Sequence, residues 1–237
     1  MTPRGAEQPS GNWRGSQAES RGRYLAKFDA AEVARYEATV GQLSPRDEEA
    51  YRTDLGRVLE FRPGMAVLDA GAGTGTLCRL LAHLPGLVLT ALEPAPAMLA
   101  QLRSKPELHG VTTVEGFCDA NSDRGLFPAT RFEVIVSRQL INGLYDPLAA
   151  FRNWHHWLTP GGAVVIIDGI YGRSAWTGVW QEEVDVLPLS ACQNLAMVPY
   201  LLEGTGFRIE AVQWMETVNT LPSTRTPRYV VVARKPG

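Results

Sequence analysis

Between Val67 and Leu77 the chain reads VLDAGAGTGTL, an apolar run that enters three glycines, Gly71, Gly73 and Gly75, at alternate positions. Glycine admits turns and ligand approaches that a Cβ forbids, and a helix starting near Thr74 to Leu77 would present its free N–H groups at the same place. A nucleotide-like ligand suits such a turn, although a bare tight turn has the same local sequence. Glu93 adds a second observation. It closes the run LVLTALE twenty-four residues after Asp69. In a doubly wound sheet an acid at the tip of the second strand lies beside the glycine turn, where its two oxygens can accept both hydroxyls of a ribose; a surface carboxylate is the alternative. The spacing is GxGxG rather than the GxGxxG of dinucleotide sites, with Asp69 two residues ahead of the first glycine. A carboxylate there repels a pyrophosphate and attracts an ammonium or sulfonium, so the ligand is expected to be cationic near the loop.

These residues need a scaffold, and the chain supplies a repeating one. Short apolar runs at 65–70, 87–93, 111–115, 132–137 and 163–168 alternate with segments of helical spacing. Runs of Val, Ile and Leu without polar alternation predict strands buried on both faces, joined by crossover helices in a parallel sheet. The runs at 207–215 and 228–234 are separated by too few residues for a crossover helix, so they are expected to pair antiparallel as a closing hairpin. Residues 24–61 carry apolar side chains near helical spacing with a break at Pro45, predicting two or three helices as a cap. Residues 1–23 hold few branched apolar side chains and are expected to form a flexible arm. The division is therefore an arm (1–23) and a single domain (24–237), itself a helical cap (24–61) and a core (62–237).

The order of these motifs resembles the class I S-adenosylmethionine-dependent methyltransferase family over about residues 60 to 235. The resemblance implies an α/β fold with a Rossmann-like, seven-stranded, mainly parallel sheet flanked by helices. VLDAGAGTGTL is similar to the family's first motif, whose loop (Asp69, Gly71, Gly73, Gly75) holds the methionine part of the cofactor. LEPAPAML is similar to the second, which implies Glu93 on the ribose and Pro94 and Met98 at the adenine. GFCDA resembles the segment after the third strand, implying that Asp119 accepts from the adenine amino group and that the Ala120 N–H reaches the ring. Ser137 and Arg138 match the position that touches the methionine end of the cofactor and the acceptor.

On the acceptor side, strand four is followed by Arg138, Asn142 and Asp146, and strand five by Asp168, Tyr171, Trp176 and Trp180. Arg138 is equally suited to an ion pair with Asp146, and the Asn142 amide to orienting an acceptor or capping a helix. The long stretch 169–189 reads as a lid whose Tyr171, Trp176 and Trp180 could stack on a flat apolar substrate, with Tyr24 covering from the cap. Its Glu182, Glu183 and Asp185 read as a solvated face or as partners of an amine. His83, His109, His155 and His156 all fall where the strands begin, so none is expected to be catalytic, and no catalytic residue is assigned.

The 23 Lys plus Arg against 25 Asp plus Glu give a formal charge of −2, which argues against a nucleic-acid partner. With 45% apolar and 20% charged residues the chain is expected to be globular. The longest apolar stretches are far shorter than the roughly 20 residues of a membrane-spanning helix, and the N-terminal residues lack the apolar stretch of a secretory signal. Cys78, Cys118 and Cys192 form no CxxC pair, so three buried thiols in a reducing cytoplasm are expected and no metal. The reading is methyl transfer from S-adenosyl-L-methionine to a small molecule, a secondary metabolite, with a homodimer compatible with it. The alternatives are an NAD-dependent oxidoreductase and a non-catalytic S-adenosylmethionine-binding protein.

Overall fold

The computed structural model describes residues 14–237. Its seven strands are β1 (Ala66–Ala70), β2 (Val88–Glu93), β3 (Thr112–Glu115), β4 (Phe132–Arg138), β5 (Leu158–Gly169), β6 (Arg208–Trp214) and β7 (Arg228–Arg234), in the sheet order β3-β2-β1-β4-β5-β7-β6. The first five are parallel, and β7 runs antiparallel to both β5 and β6. The apolar runs of the sequence thus become strands at nearly their expected bounds, except β5, which begins five residues early at Leu158 and takes in the Pro-Gly-Gly stretch ahead of its apolar run. Chain direction across the sheet reverses between β1 and β4, the switch point at which ligands bind in open α/β sheets.

Side chains alternate across the sheet, and each face has its own helices. Leu68, Ile135, Val164, Ile166 and Val231 pack on Phe151, Trp154 and Trp157 of α6 (Pro147–Trp157) and Leu202 of α7 (Met197–Glu203). Val67, Val136, Val165, Ile167 and Val230 pack on Tyr51 and Leu55 of α3 (Pro45–Gly56) and Leu77, Leu80 and Leu81 of α4 (Thr76–Ala82). A further crossover helix, α5 (Pro96–Arg103), leads from β2 toward β3. Of the helices that start at a capping side chain, two also carry a proline in the first turn. The Ser44 hydroxyl accepts from Asp47 N ahead of α3, and Asp146 accepts from Ala149 N ahead of α6, each followed by a proline whose missing N–H costs nothing there.

The expected arm is too long. Helix α1 (Gln17–Lys27) begins before residue 23, so residues 17–23 belong to the folded cap; residues 1–13 of the arm lie outside the described residues. The start of α1 is a capping box, with Ser16 N donating to Glu19 Oε2 at 2.7 Å and Glu19 N to Ser16 Oγ at 3.2 Å. Helix α2 (Ala30–Tyr36) continues as a π-helical turn, Glu37–Gly41, which runs beneath the glycine loop: the Thr76 hydroxyl donates to Gly41 O at 2.8 Å, and Lys105 bridges Glu37 and Thr74 O. Of the three free thiols, Cys78 and Cys118 are buried as expected and Cys192 is half-buried. No helix of the described residues is long and apolar enough to cross a membrane.

Trp157 is fully buried and donates its indole N–H to Arg124 O at 2.9 Å. The Trp157→Ala substitution is expected to cost about 3–5 kcal/mol of unfolding free energy, measured by urea denaturation. His156→Ala, one residue away and half-buried, should change it by less than about 1 kcal/mol.

Candidate active site

The loop after β1 is built as its glycines require. Gly71, Gly73 and Gly75 have φ of +70°, +55° and +90°, in the left-handed region. At Gly71 and Gly75 a Cβ would lie 2.7 Å from Leu140 and from Leu108. At Gly73 its nearest neighbour would be the Tyr36 hydroxyl at 3.8 Å, so the backbone here is open to a ligand.

Glu93 is buried at the tip of β2 and fastens this loop to the next helix. Its Oε2 accepts from Gly73 N at 3.0 Å, its Oε1 from Ala95 N at 2.9 Å, and the Tyr24 hydroxyl of α1 lies 3.4 Å from Oε1. A carboxylate offers about four acceptor positions; three are used, and one of those is a long bond to a side chain that can move. Asp69 is spent otherwise than expected. Its Oδ2 accepts from Cys78 N and from Cys78 Sγ, both at 3.2 Å, so one of its oxygens serves the first turn of α4. Burial pushes the Asp69 and Glu93 carboxyls up to about 7, against the lowering effect of their N–H partners.

The segment after β3 departs from expectation in its details. Asp119 is buried, but it accepts from Arg21 of α1 at 2.8 Å and from Tyr145 N at 2.9 Å, while Gln17 donates to its backbone carbonyl at 2.5 Å. The Ala120 N–H donates to Asp123 Oδ2 at 2.9 Å and is not free for a ring. Arg21 also pairs with Asp123 and lies over the Phe117 ring. Met98 is buried with Phe28, Val33 and Ala95, and half-buried Pro94 stands between Glu93 and Ala95.

Helix α1 therefore lies across both acids expected to hold a cofactor. Tyr24 sits on Glu93 and edge-on to Phe28 and Phe117, beside the acid expected to hold the ribose. Trp180 lies with it, packing on Phe28 and under Lys27 instead of beside Tyr171. The solvated-face reading fails for Glu183, which is buried and pairs with Arg23 at 3.0 Å and Lys27 at 2.9 Å. Asp185 is exposed and pairs with Arg173.

A second polar group forms where β4 and β5 end. Arg138 does not pair with Asp146, which caps α6; its guanidinium faces the Tyr51 ring at 5.4 Å, with Nε 3.4 Å from the hydroxyl. Ser137 is buried and its hydroxyl has no hydrogen-bond partner among the described residues. Gln139 adopts a left-handed φ of +54°, unusual for a residue with a Cβ, and donates to the Tyr171 hydroxyl at 2.8 Å. The Asn142 amide donates to Asp168 Oδ1 at 3.2 Å, so it neither caps a helix nor stands free. Burial raises Asp168 to about 6. Trp176 donates to Ser190 O at 2.9 Å, with its ring 6.0 Å from that of Tyr171. All four histidines lie toward the opposite edge: His83 ends α4, His109 precedes β3, and His155 and His156 fall in the last turn of α6.

A family model described as a methyltransferase domain matches residues 45–186. The chain belongs to this methyltransferase-domain family. Among curated proteins it is similar to the ubiquinone/menaquinone biosynthesis C-methyltransferase of Shewanella sp. (strain W3-18-1), 26% identical over 156 residues. That match covers 64% of this chain and 61% of the relative, so it spans about three-fifths of the relative's length. Among solved structures the methyltransferase domain is similar to Haemonchus contortus phosphoethanolamine N-methyltransferase 2 in complex with S-adenosyl-L-methionine, at 21% identity and a TM-score of 0.67 over 89% of this chain and 58% of that one. It is also similar to a SAM-dependent methyltransferase from Aquifex aeolicus, at 18% identity and a TM-score of 0.63 over 88% and 99% of the two chains. At these identities the structures bear on the fold, which they share.

The raised carboxyls set a pH dependence. A carboxyl with a folded-state pKa above its unfolded value holds its proton longer when folded; it favours folding at low pH, and that contribution disappears as pH rises through the folded pKa. With Asp69 and Glu93 near 7 and Asp168 near 6, the urea midpoint of the ligand-free protein is expected to fall between about pH 5 and pH 8. Glu93→Gln should flatten part of that slope.

Proposed function

We propose that this protein transfers a methyl group from S-adenosyl-L-methionine to a small-molecule acceptor. The observation that carries the reading is the junction of Gly73 and Glu93: an open, left-handed backbone position tied directly to a buried carboxylate at the tip of the neighbouring parallel strand. Such a junction suits a ligand with a sugar at one end and an amino acid at the other, and the GxGxG spacing with Asp69 nearby suits a cationic centre between them.

When bound, S-adenosylmethionine supplies an electrophilic methyl on a positively charged sulfur. Glu93 would take the ribose hydroxyls, with Tyr24 yielding its long bond. Asp119 would take the adenine amino group in place of Arg21 or beside it, with Pro94 and Met98 flanking the base. Gly71, Gly73 and Ser137 would hold the methionine end. The Asp69 carboxylate, whose Oδ1 takes no part in the bonds to Cys78, would favour the ligand's positive charge. Nothing among the four histidines reaches this edge, so the chain's main contribution is alignment in a water-poor site, worth up to about 7–11 kcal/mol in well-oriented systems. A secondary metabolite with a flat, lipophilic body is our proposed acceptor, resting against Tyr171 and Trp176 with Asn142 beside it. A cytoplasmic location fits the free thiols, and the near-balanced charge of −2 favours a small acceptor over nucleic acid.

Glu93→Ala is expected to weaken S-adenosylmethionine binding by about 1–3 kcal/mol, and Gly73→Arg to abolish it, both by isothermal titration. NADH should give no heat. Equal affinity in both variants and the parent would sink the cofactor placement. His155→Ala and His156→Ala should turn over a methyl acceptor at the parental rate; a hundredfold loss in either folded variant would refute the edge argument.

A further inference from the structure

Arginines of the described residues that have no carboxylate within 4.0 Å are exposed, with three exceptions. Arg14 is satisfied by the backbone carbonyls of Val186 and Tyr145. The other two are Arg138 and Arg228, and they stand together. Arg138 is paired in register with Ile167 of β5, and Arg228 with Gly169 of β5 from the other side, so the two flank one strand at the edge where the candidate site lies. Both fall on the same face, in line with Val136 and Val230, which pack with Val165 and Ile167 beneath them. Between them the strand carries Gly169, where a Cβ would lie 2.6 Å from Arg228 Nη1 and 3.0 Å from the Tyr171 ring. Neighbouring strands are about 4.8 Å apart and the two arginines are offset by two residues along β5, so their Cα atoms stand roughly 12 Å apart, a span that two long side chains can close onto a single ligand group.

The neutral groups around them also point to a ligand that accepts hydrogen bonds. The Tyr171 hydroxyl oxygen receives Arg228 Nη1 and Gln139 Nε2, which fills its lone pairs and leaves its own O–H to donate. The buried Gln139 Oε1 has no partner. Were the amide turned over, Tyr171 would donate to it and the Gln139 NH2 would become the unused donor, so either orientation leaves a donor at this place. A partly buried guanidinium with no carboxylate in direct contact costs free energy that an arriving anion would offset. Asp168, one residue before Gly169, faces the opposite side of the sheet with Ile166; its Oδ1 is bonded to Asn142 and Gly169 N, its buried Oδ2 makes no hydrogen bond among the described residues, and it stands near enough to Arg228 for attraction but forms no ion pair with it.

We infer that Arg138 and Arg228, with Tyr171 between them, form a subsite for an oxyanion carried by the methyl acceptor, a carboxylate or a phosphate. The inference rests on the methyl-transfer reading for its cofactor and adds the acceptor's charge to it. The cofactor's own carboxylate is the other source of an oxyanion at Arg138, and the two sources differ in a measurable way: an acceptor's anion binds together with the cofactor, whereas an anion at the cofactor's end competes with it.

The test uses the full chain saturated with S-adenosylhomocysteine, titrated with inorganic phosphate and separately with benzoate at constant ionic strength, chloride being the control. The expected result is a saturable rise in Tm with at least one of the two anions and none with chloride, no loss of S-adenosylhomocysteine affinity as the anion is added, and at least a tenfold weaker anion response in Arg228→Gln. Arg228→Lys keeps the charge and the fold and should lose less, and Tyr171→Phe should weaken the response about threefold or more. A response that survives Arg228→Gln in the folded variant, competition between anion and S-adenosylhomocysteine, or no saturable response to either anion would overturn the subsite. Failure of the parent protein to bind S-adenosylhomocysteine at all is seen in the first titration, before any anion is added, and counts against the methyl-transfer reading itself.

Discussion

The Glu93 carboxylate is the fastening on which the candidate site depends. One oxygen takes the Gly73 N–H and the other takes the Ala95 N–H, so a single buried acid fixes the turn after β1 to the turn after β2. The turn after β1 can be drawn this tightly only because its glycines accept left-handed angles, and Leu92 O completes the tie by receiving Gly71 N and Ala72 N. Burial raises the proton affinity of this acid, and the two N–H groups oppose that rise. The site is therefore held by a group that water would otherwise stabilise, a cost the fold bears where a ligand hydroxyl would lower it.

Around this fastening the cap makes a second tier of contacts. Helix α1 is tied to Asp119 and Asp123 through Arg21, to Glu93 through Tyr24, and to Glu183 through Arg23 and Lys27. These are charge-assisted bonds to largely buried acids, stronger than surface pairs yet exchangeable for other donors. Helix α1 thus bridges the Glu93 and Asp119 end of the candidate site and the segment after β5 mainly with polar bonds. The apolar share of α1 is small and aromatic, Tyr24 against Phe28 and Trp180 in edge contacts, while Val33 of α2 is buried with Ala95 and Met98 and α3 packs into the sheet through Tyr51 and Leu55.

What could be read in the sequence was what short-range pattern encodes. The strands are runs of Val, Ile and Leu buried on both faces, so they stand out without knowledge of their neighbours, and Gly71, Gly73, Gly75 and Glu93 follow from where strands end. The antiparallel pairing of β6 and β7 followed from a linker too short for a helix. The cap resisted because its determinants lie far apart: Arg21 and Asp119 are 98 residues apart, and Arg23 and Glu183 are 160. Tyr24 and Trp180 were recognised as site aromatics, but the contacts of Tyr24 with Glu93 and of Trp180 with Phe28 and Lys27 were hidden for the same reason, since they too join residues far apart in the chain. One local signal was available: Ser16 and Glu19 have the spacing of a capping box, which marks the start of α1 ahead of residue 23. The Ala120 N–H was lost to Asp123, an acid three residues on whose capping habit was also legible.

The order of the sheet carries a consequence for how the polypeptide comes off the ribosome. Strand β6 precedes β7 in the chain, yet its sheet partner is β7, which lies between it and β5. Until β7 has emerged, β6 has no neighbour to hydrogen-bond, and the free edge of β5 stands bare beside it. Synthesis at about 5–20 residues per second leaves that edge exposed for a second or more, long enough for an unpaired strand to find the wrong company. The half of the sheet that carries the glycine turn can form during elongation, whereas the half that supplies Arg228 must wait for the last of the seven strands.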